Sequence, residues 1–125
     1  MSVLVDTSIW IDFFRNQEMA DPLEQLIEEN IVLTNDLILS EMIPQLSIQG
    51  QNELIYLLNE IERQPLIIDW NNIIQMQINC ISGGFNGIGI PDLIIAQNTI
   101  QGNLRLFSKD KHFSLVATRI GLNLF

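Results

Sequence analysis

The sequence predicts a three-layer α/β domain in which helices cover both faces of a parallel β-sheet. Short apolar runs alternate along the chain with longer segments of helical periodicity, as expected of βαβ units. The 125 residues suffice for one hydrophobic core, so we expect a single domain over 1–125. No apolar run approaches the roughly 20 residues of a membrane span.

Each predicted strand is a short apolar run. The first four strands are expected over 3–5, 31–33, 66–68 and 104–107, and a fifth over 122–124 at the edge of the sheet. Because these runs alternate with helical segments, the strands are expected to be parallel.

The helices are predicted from capping residues and apolar periodicity. They are expected over 7–15, 21–29, 51–63, 71–81 and 91–102, and a further helix begins at 35–36. Capping residues and first-turn prolines mark several of these starts: Thr7, Ser8, Pro22, Asn35, Asp36 and Pro91. Pro44 is expected to bend or end its helix, because its ring clashes with the Ser40 carbonyl.

The stretch 83–89 is predicted to be a flexible loop, since it holds four of the seven glycines. It does not have the dinucleotide-binding pattern, because Asp92 stands where the third glycine belongs and a helix precedes the stretch. No Walker A sequence occurs. The sequence therefore does not indicate a nucleotide site.

The charge distribution leaves two interpretations open. A net charge of −9 is unusual for a nucleic-acid-binding protein, which commonly carries a basic surface. Arg105, Lys109, Lys111 and Arg119 all follow residue 104, a region in which Asp110 is the sole acid. These cations are either scattered over an acidic protein or form a modestly basic wall beside an acidic pocket.

Cys80 is the single cysteine, which excludes an internal disulfide and suits a reducing compartment. It is expected to be a small buried hydrophobe in a helix. The first residues lack the basic region and cleavage site of a signal peptide. We therefore expect a cytoplasmic location.

Two acidic residues follow predicted strands. Asp6 comes directly after the first strand, and Asp110 comes shortly after the fourth. In open α/β sheets, ligands bind outside the carboxyl ends of the strands, where the strand order reverses. Each residue alone is also explained as a helix cap or a turn residue.

Two further acids lie on predicted helices. Glu41 is expected on the apolar side of its helix, where a charge without a partner is costly. That side is expected to carry Leu37, Ile38 and Ile48. Asp92 opens the helix 91–102 on the face that should turn toward the sheet. Their ordinary explanations are a helix-rim glutamate and a first-turn acid.

Together the four acids predict a cation site. If the first and fourth strands are neighbours, Asp6 and Asp110 lie side by side and face the helical acids Glu41 and Asp92. Carboxylates about 5 Å apart repel by roughly 3 kcal/mol per pair at an effective dielectric of about 20. Such a cluster requires protons or cations. Oxygen ligands without cysteine or histidine suit Mg²⁺ or Mn²⁺ rather than Zn²⁺.

These motifs make the chain similar to the PIN-domain ribonucleases, and more closely to the VapC-type toxins of bacterial toxin–antitoxin pairs. The resemblance covers essentially the whole chain and rests on four segments in order: Val5-Asp6-Thr7-Ser8, Leu39-Ser40-Glu41, Ile90-Pro91-Asp92-Leu93-Ile94-Ile95-Ala96 and Phe107-Ser108-Lys109-Asp110-Lys111-His112-Phe113. It implies a PIN-like sheet in the order 3-2-1-4-5 and an endoribonuclease that depends on Mg²⁺ or Mn²⁺. It also implies a homodimer and a cognate antitoxin that occupies the active-site groove.

The resemblance fits a division of roles among the site residues. One or two cations would be held by Asp6, Asp92 and Asp110, with Glu41 as a further ligand or the group that orients the attacking water. The residues expected to support these acids are Thr7, Ser8 and Ser108. The candidates for RNA contact are Arg105, Lys109, Lys111 and His112. His112 is interpreted as a loop residue or phosphate contact rather than a general base.

Three other functions compete with this prediction. A receiver-like signalling domain has similar size and an acidic Mg²⁺ pocket, but only Asp69 and Lys109 loosely match its pattern. A haloacid-dehalogenase-type phosphatase requires a second aspartate where Ser8 stands. A PIN domain retained only as a binding module is the third alternative, and the presence of all four acids argues against it.

The first helix predicts an interaction surface. Ile9, Trp10, Phe13 and Phe14 leave little polar surface on this helix, and leftover apolar surface on a small domain commonly marks an interface. Either neighbouring helices cover these side chains, or an antitoxin segment with a basic side chain binds beside the acidic pocket.

Overall fold

A four-stranded parallel sheet forms the centre of the protein in a computed structural model that describes residues 1–15 and 20–125. The strands are β1 (Val3–Val5), β2 (Val32–Thr34), β3 (Glu62–Arg63) and β4 (Arg105–Phe107), in the order β3-β2-β1-β4. The helices are α1 (Thr7–Arg15), α2 (Ala20–Glu28), α3 (Asp36–Ile48), α4 (Asn52–Glu60), α5 (Trp70–Ser82), α6 (Ile90–Gln101) and α7 (Lys111–Ile120). None of these described helices has the length and apolar content needed to cross a membrane.

Strand β1 lies at the centre of the core. Its side chains are fully buried, because the strand pairs on both edges and is covered on both faces. Leu4 aligns with Leu33 of β2 on one side and with Leu106 of β4 on the other. Both pairings are parallel, so the carboxyl ends of β1, β2 and β4 meet at one edge of the sheet.

The predicted fifth strand is reduced to a single bridge beside β4. Leu124 forms an isolated parallel bridge with Leu106, and the Phe125 N–H donates to the Leu106 carbonyl at 2.9 Å. The bridge occupies the fifth position of the predicted order 3-2-1-4-5. The predicted α/β fold with helices on both faces of a parallel sheet is therefore confirmed.

The third strand lies earlier in the chain than predicted. We expected it over 66–68, within a segment that instead runs alongside α6 and is held by amide side chains. Asn98 Nδ2 donates to the Pro65 carbonyl at 2.8 Å, and Gln97 Nε2 donates to the Asp69 carbonyl at 2.9 Å. Hydrogen bonds from these side chains take the place of hydrogen bonds to a neighbouring strand, so β3 consists of Glu62–Arg63 alone. Helix α4 ends before residue 63.

Helix α3 continues through Pro44, so the expectation that this proline could end the helix is wrong. The expected apolar side was also wrong, because Ile48 is 83% exposed. The buried residues of this helix are Ile38, Leu39, Met42 and Leu46. Glu41 therefore lies at the exposed rim of α3 rather than on its buried side.

Helix α7 was not predicted, although the sequence contains its signals. Asp110 caps the helix by accepting a hydrogen bond from the His112 N–H at 2.9 Å. Gly121 ends it in the left-handed conformation, with φ 76°. Phe113 and Val116 are buried at helical spacing. The interpretation of His112 as a loop residue is therefore wrong, because it lies in the first turn of α7.

A buried amide pair joins the two helices that carry Glu41 and Asp92. Asn35 caps α3 through a 2.8 Å hydrogen bond from the Ile38 N–H. Its Nδ2 donates to Asn98 Oδ1 on α6 at 2.9 Å, and both asparagines are buried. Since each buried amide is satisfied by a partner, the pair fixes α3 against α6.

Candidate functional site

Four carboxylates converge at the carboxyl edge of the sheet. Asp6 follows β1, and Asp110 follows the neighbouring β4 as the cap of α7. Asp92 lies in the first turn of α6, and Glu41 extends from α3. The structure thus brings together all four acids that the sequence singled out.

Asp92 interacts electrostatically with two other acids of the cluster. Partial burial raises its pKa above the ordinary value of 3.8, and the carboxylates of Asp110 and Asp6 raise this pKa further. A hydrogen bond from the Gly89 N–H, at 3.3 Å, acts in the opposite direction, as does His112. The ionised form of Asp92 is therefore disfavoured in the metal-free protein.

Glu41 is exposed as a whole residue, but its carboxylate faces the cluster. Burial of the carboxylate is the largest cause that raises its pKa above 4.5, followed by the charge of Asp6, with Asp92 contributing less. The Thr7 hydroxyl donates to Glu41 Oε1 at 3.4 Å and lowers the pKa. Glu41 therefore belongs to the cluster although it lies at the exposed rim of α3.

Two serine hydroxyls hold one oxygen of Asp6. Ser8 Oγ and Ser108 Oγ donate to Asp6 Oδ2 at 2.9 Å and 2.8 Å. Each hydroxyl also accepts a backbone N–H, Ser8 from Lys109 at 2.9 Å and Ser108 from Asp110 at 3.0 Å. Each serine hydroxyl has one hydrogen to donate. In this arrangement, the hydroxyl hydrogens of both serines are donated to Asp6. The loop after β4 is thereby tied to the start of α1, and Asp6 Oδ1 takes no part in these bonds.

Of the two interpretations of the charge distribution, a single basic wall does not form. Lys109 Nζ pairs at 2.7 Å with Asp12, a buried carboxylate of α1 that the sequence analysis did not identify. Arg105 lies at the opposite end of β4, with its guanidinium 4.9 Å from the centre of the Phe125 ring. Of the RNA-contact candidates, Lys111 and His112 lie at the exposed start of α7, beside the acids.

Three side chains offer closely spaced ligand atoms. Asp92, Asp110 and His112 each contribute one such atom, and these atoms all lie within 4.8 Å of one another. Within residues 1–15 and 20–125, this is the one group of three or more acid, histidine or cysteine side chains that meets that spacing. The two carboxylates of this group fit a divalent cation such as Mg²⁺ or Mn²⁺.

A groove of about 220 Å³ begins at Glu41 and runs between α1, α3 and the start of α4. Its lining includes the apolar side chains Ile11, Phe14, Met42, Leu46 and Leu54, together with Arg15. Trp10 does not line it, because the ring is buried and stacks on Phe14 with centroids 6.0 Å apart. The apolar surface expected on α1 is therefore partly covered, and Phe14 is the residue of that surface that lines this groove.

The fold and the carboxylate cluster define an α/β domain of the type that assembles an acidic site at a topological switch point. A sequence profile of the PIN domain matches residues 3–118. The chain therefore belongs to the PIN-domain family, whose members are generally nucleases. Family membership excludes the receiver-like and haloacid-dehalogenase-type alternatives.

Two solved structures share this fold. The crystal structure of VapBC2 from Rickettsia felis bound to a DNA fragment from their promoter has 21% identity and a TM-score of 0.79, over 100% of this chain and 98% of that chain. The crystal structure of FitAcB from Neisseria gonorrhoeae has 19% identity and a TM-score of 0.73, over 98% of this chain and 96% of that chain. No curated protein gave a significant match. The family match confirms the predicted resemblance to PIN domains. The two neighbours share the fold of this chain.

The raised pKa of Glu41 predicts a pH-dependent effect of Glu41→Gln on stability in EDTA. A raised folded-state pKa contributes stability below 4.5, which is lost as the pH rises through the folded-state pKa. At neutral pH the variant removes this disfavoured charge, so its Tm should exceed that of wild type by about 2 °C. The difference should vanish toward pH 4.5, as measured by thermal unfolding.

The matched control is Glu24→Gln, which neutralises an exposed glutamate within α2. This control should leave the Tm unchanged at both pH values. A lower Tm for Glu41→Gln than for wild type at neutral pH would show that the Glu41 carboxylate stabilises the metal-free fold.

Proposed function

We propose that this protein is a Mg²⁺- or Mn²⁺-dependent endoribonuclease that hydrolyses RNA phosphodiester bonds as the toxin of a toxin–antitoxin pair. The observation that carries the proposal is the convergence of four carboxylates, two of which have raised pKa values. Membership of the PIN family supports nuclease chemistry. The presence of all four acids argues against a PIN domain retained only for binding.

The acidic residues divide into ligands and a positioning group. Asp6, Asp92 and Asp110 would hold the cation, and Glu41 would act as a further ligand or orient the attacking water. A divalent cation there supplies Lewis-acid catalysis, by lowering the pKa of bound water and neutralising charge on the scissile phosphate. Thr7 restrains the Glu41 carboxylate through its hydrogen bond.

The support for Asp6 comes from the loop after β4. Ser8 and Ser108 fix Asp6 Oδ2 by two hydrogen bonds, which orients Oδ1 for a cation. Lys109 holds the same loop against α1 through its ion pair with Asp12. Lys109 therefore acts in this proposal as a structural residue, and Lys111 is the lysine available for a phosphate contact at the rim.

The purified protein, freed of any partner, should cleave RNA with Mg²⁺ or Mn²⁺ and stop cleaving in EDTA. Asp6→Asn and Asp92→Asn should each lower the cleavage rate by more than about 100-fold, because each removes a charged metal ligand. The measurement is cleavage of a labelled RNA, with circular dichroism to verify the fold.

Asp36→Asn provides the matched control for this experiment. Asp36 is an exposed aspartate that pairs with Arg63 at 2.9 Å, on the surface of α3 and outside the cluster. Its substitution should leave the cleavage rate close to that of wild type. Wild-type rates in both Asp6→Asn and Asp92→Asn would overturn the assignment of the site.

We also propose that the groove between α1, α3 and α4 receives an antitoxin segment. The apolar side chains of its lining suit an apolar segment, and the groove reaches Glu41, where a basic side chain would meet the carboxylates. The similar structures are both of two-component complexes, VapBC2 and FitAcB, which supports a partner of this kind. A basic group in the cluster would replace the charge of the cation and obstruct RNA.

Ile11→Asp should weaken binding of an antitoxin, because it introduces a charge on the apolar wall of the groove. Ile27→Asp on α2 is the matched control, since Ile11 and Ile27 are each 40% exposed and Ile27 does not line the groove. The measurement is co-purification with candidate antitoxins encoded beside this gene. Binding should also weaken as salt rises. Equal complex formation by both variants would place the partner elsewhere.

A homodimer is proposed through an apolar stripe on α5. Trp70, Ile74, Ile78 and Ile81 follow helical spacing on one face, and each is at least half exposed. An exposed patch of this kind commonly marks an interface, and a single helix face can pair with its own copy around a two-fold axis. The stripe lies on a different helix from those that form the groove, so one dimer could bind two antitoxin segments. The proposed location of the protein is cytoplasmic, as expected from the sequence.

Ile74→Lys should shift the protein from dimer to monomer, because it places a charge in the centre of the stripe on α5. Sedimentation analysis measures the change in mass. The control is Ile48→Lys on α3, which alters a more exposed isoleucine outside the stripe. A dimer that persists in Ile74→Lys would exclude the stripe as the interface.

A further inference from the structure

His112 stands out among the residues near the acidic cluster. It is the single histidine of the chain, and it lies in the first turn of α7. Its Nδ1 is 3.1 Å from Asp110 Oδ1, and it belongs to the group of ligand atoms formed with Asp92 and Asp110. A carboxylate-only site does not account for a nitrogen donor at this position.

The spacing of the three side chains suits one cation. In an octahedral site with bond lengths of about 2.1 Å, adjacent ligand atoms lie about 3.0 Å apart and opposite ones about 4.2 Å apart. The 3.1 Å separation between His112 and Asp110 matches an adjacent pair. The limit of 4.8 Å for the whole group would also allow Asp92 to hold the same cation.

The surrounding backbone holds the imidazole ring in place. Asp110 caps α7 by accepting the His112 N–H, so the ring and the carboxylate share one turn. On the other side, a Cβ at Gly87 would come within 2.8 Å of His112 Nε2. The loop 83–89 thus approaches the ring as closely as a glycine allows, which limits the positions that the ring can take.

We propose that His112 is a nitrogen ligand of the cation held by Asp92 and Asp110, which makes this a mixed oxygen and nitrogen site. The proposal rests on the metal-dependent function proposed above. Mg²⁺ binds oxygen ligands, whereas Mn²⁺ accepts imidazole as well as carboxylate. The protein should therefore prefer Mn²⁺ to Mg²⁺ more strongly than a site made of carboxylates alone.

Pulsed EPR of bound Mn²⁺ tests this ligand directly, with untagged protein, without RNA and in a buffer without nitrogen ligands. Wild type should show nitrogen coupling from a coordinated imidazole. Because the chain has a single histidine, labelling histidine with ¹⁵N assigns the signal. His112→Gln should lose the coupling and bind Mn²⁺ at least about tenfold more weakly, with a smaller loss for Mg²⁺. Lys111→Gln is the control from the same helical turn and should keep the coupling.

Mn²⁺ binding without nitrogen coupling, or a His112→Gln variant with unchanged Mn²⁺ and Mg²⁺ affinities, would overturn the proposal. The ring would then act only as a hydrogen-bond donor to Asp110. Continued RNA cleavage in that case would leave the proposed function intact. If wild type neither binds Mn²⁺ nor cleaves RNA, both the assignment of His112 as a ligand and the proposed function are overturned.

Discussion

The parallel pairing of β1 with β4 places the two loops that follow these strands side by side, and the acidic cluster depends on this contact. The Asp6 N–H donates to the Phe107 carbonyl at 2.9 Å, which extends the pairing one residue past β1. Beyond that point, the hydroxyls of Ser8 and Ser108 continue the connection through Asp6. The ion pair between Lys109 and the buried carboxylate of Asp12 is a third connection. A shift of one residue in the register of β1 and β4 would therefore displace Asp6 and Asp110 relative to each other.

The repulsion among the carboxylates must be opposed by contacts elsewhere in the fold. Glu41 and Asp92 both have raised pKa values, so the metal-free protein keeps their ionised forms at a cost in stability. The Asn35–Asn98 hydrogen bond opposes separation of α3 and α6, the helices that carry these two acids. Hydrogen bonds from neighbouring polar groups, rather than attraction among the carboxylates, therefore maintain the geometry of the cluster.

The sequence predicted the parts of this structure that depend on local pattern. The central strand, the parallel sheet and the four acids follow from short apolar runs and from the residues directly after them. The position of β3 depends on the amide side chains of Gln97 and Asn98, which are distant in sequence, so no local pattern could place it. Lys109 and Arg105 likewise lie apart because Lys109 pairs with Asp12 and Arg105 packs on the Phe125 ring. Helix α7 could have been predicted from Asp110, Gly121 and the buried spacing between them.

Three helices begin at the acidic cluster, and their peptide dipoles act on it. Helices α1, α6 and α7 start directly after Asp6, at the turn of Asp92 and directly after Asp110. Each helix places a partial positive charge, about half an elementary charge, at its N-terminus. These fields offset part of the repulsion among the carboxylates, in addition to the effect of His112 on Asp92. The backbone itself thereby stabilises a concentration of negative charge that the few lysines and arginines of this acidic chain do not balance.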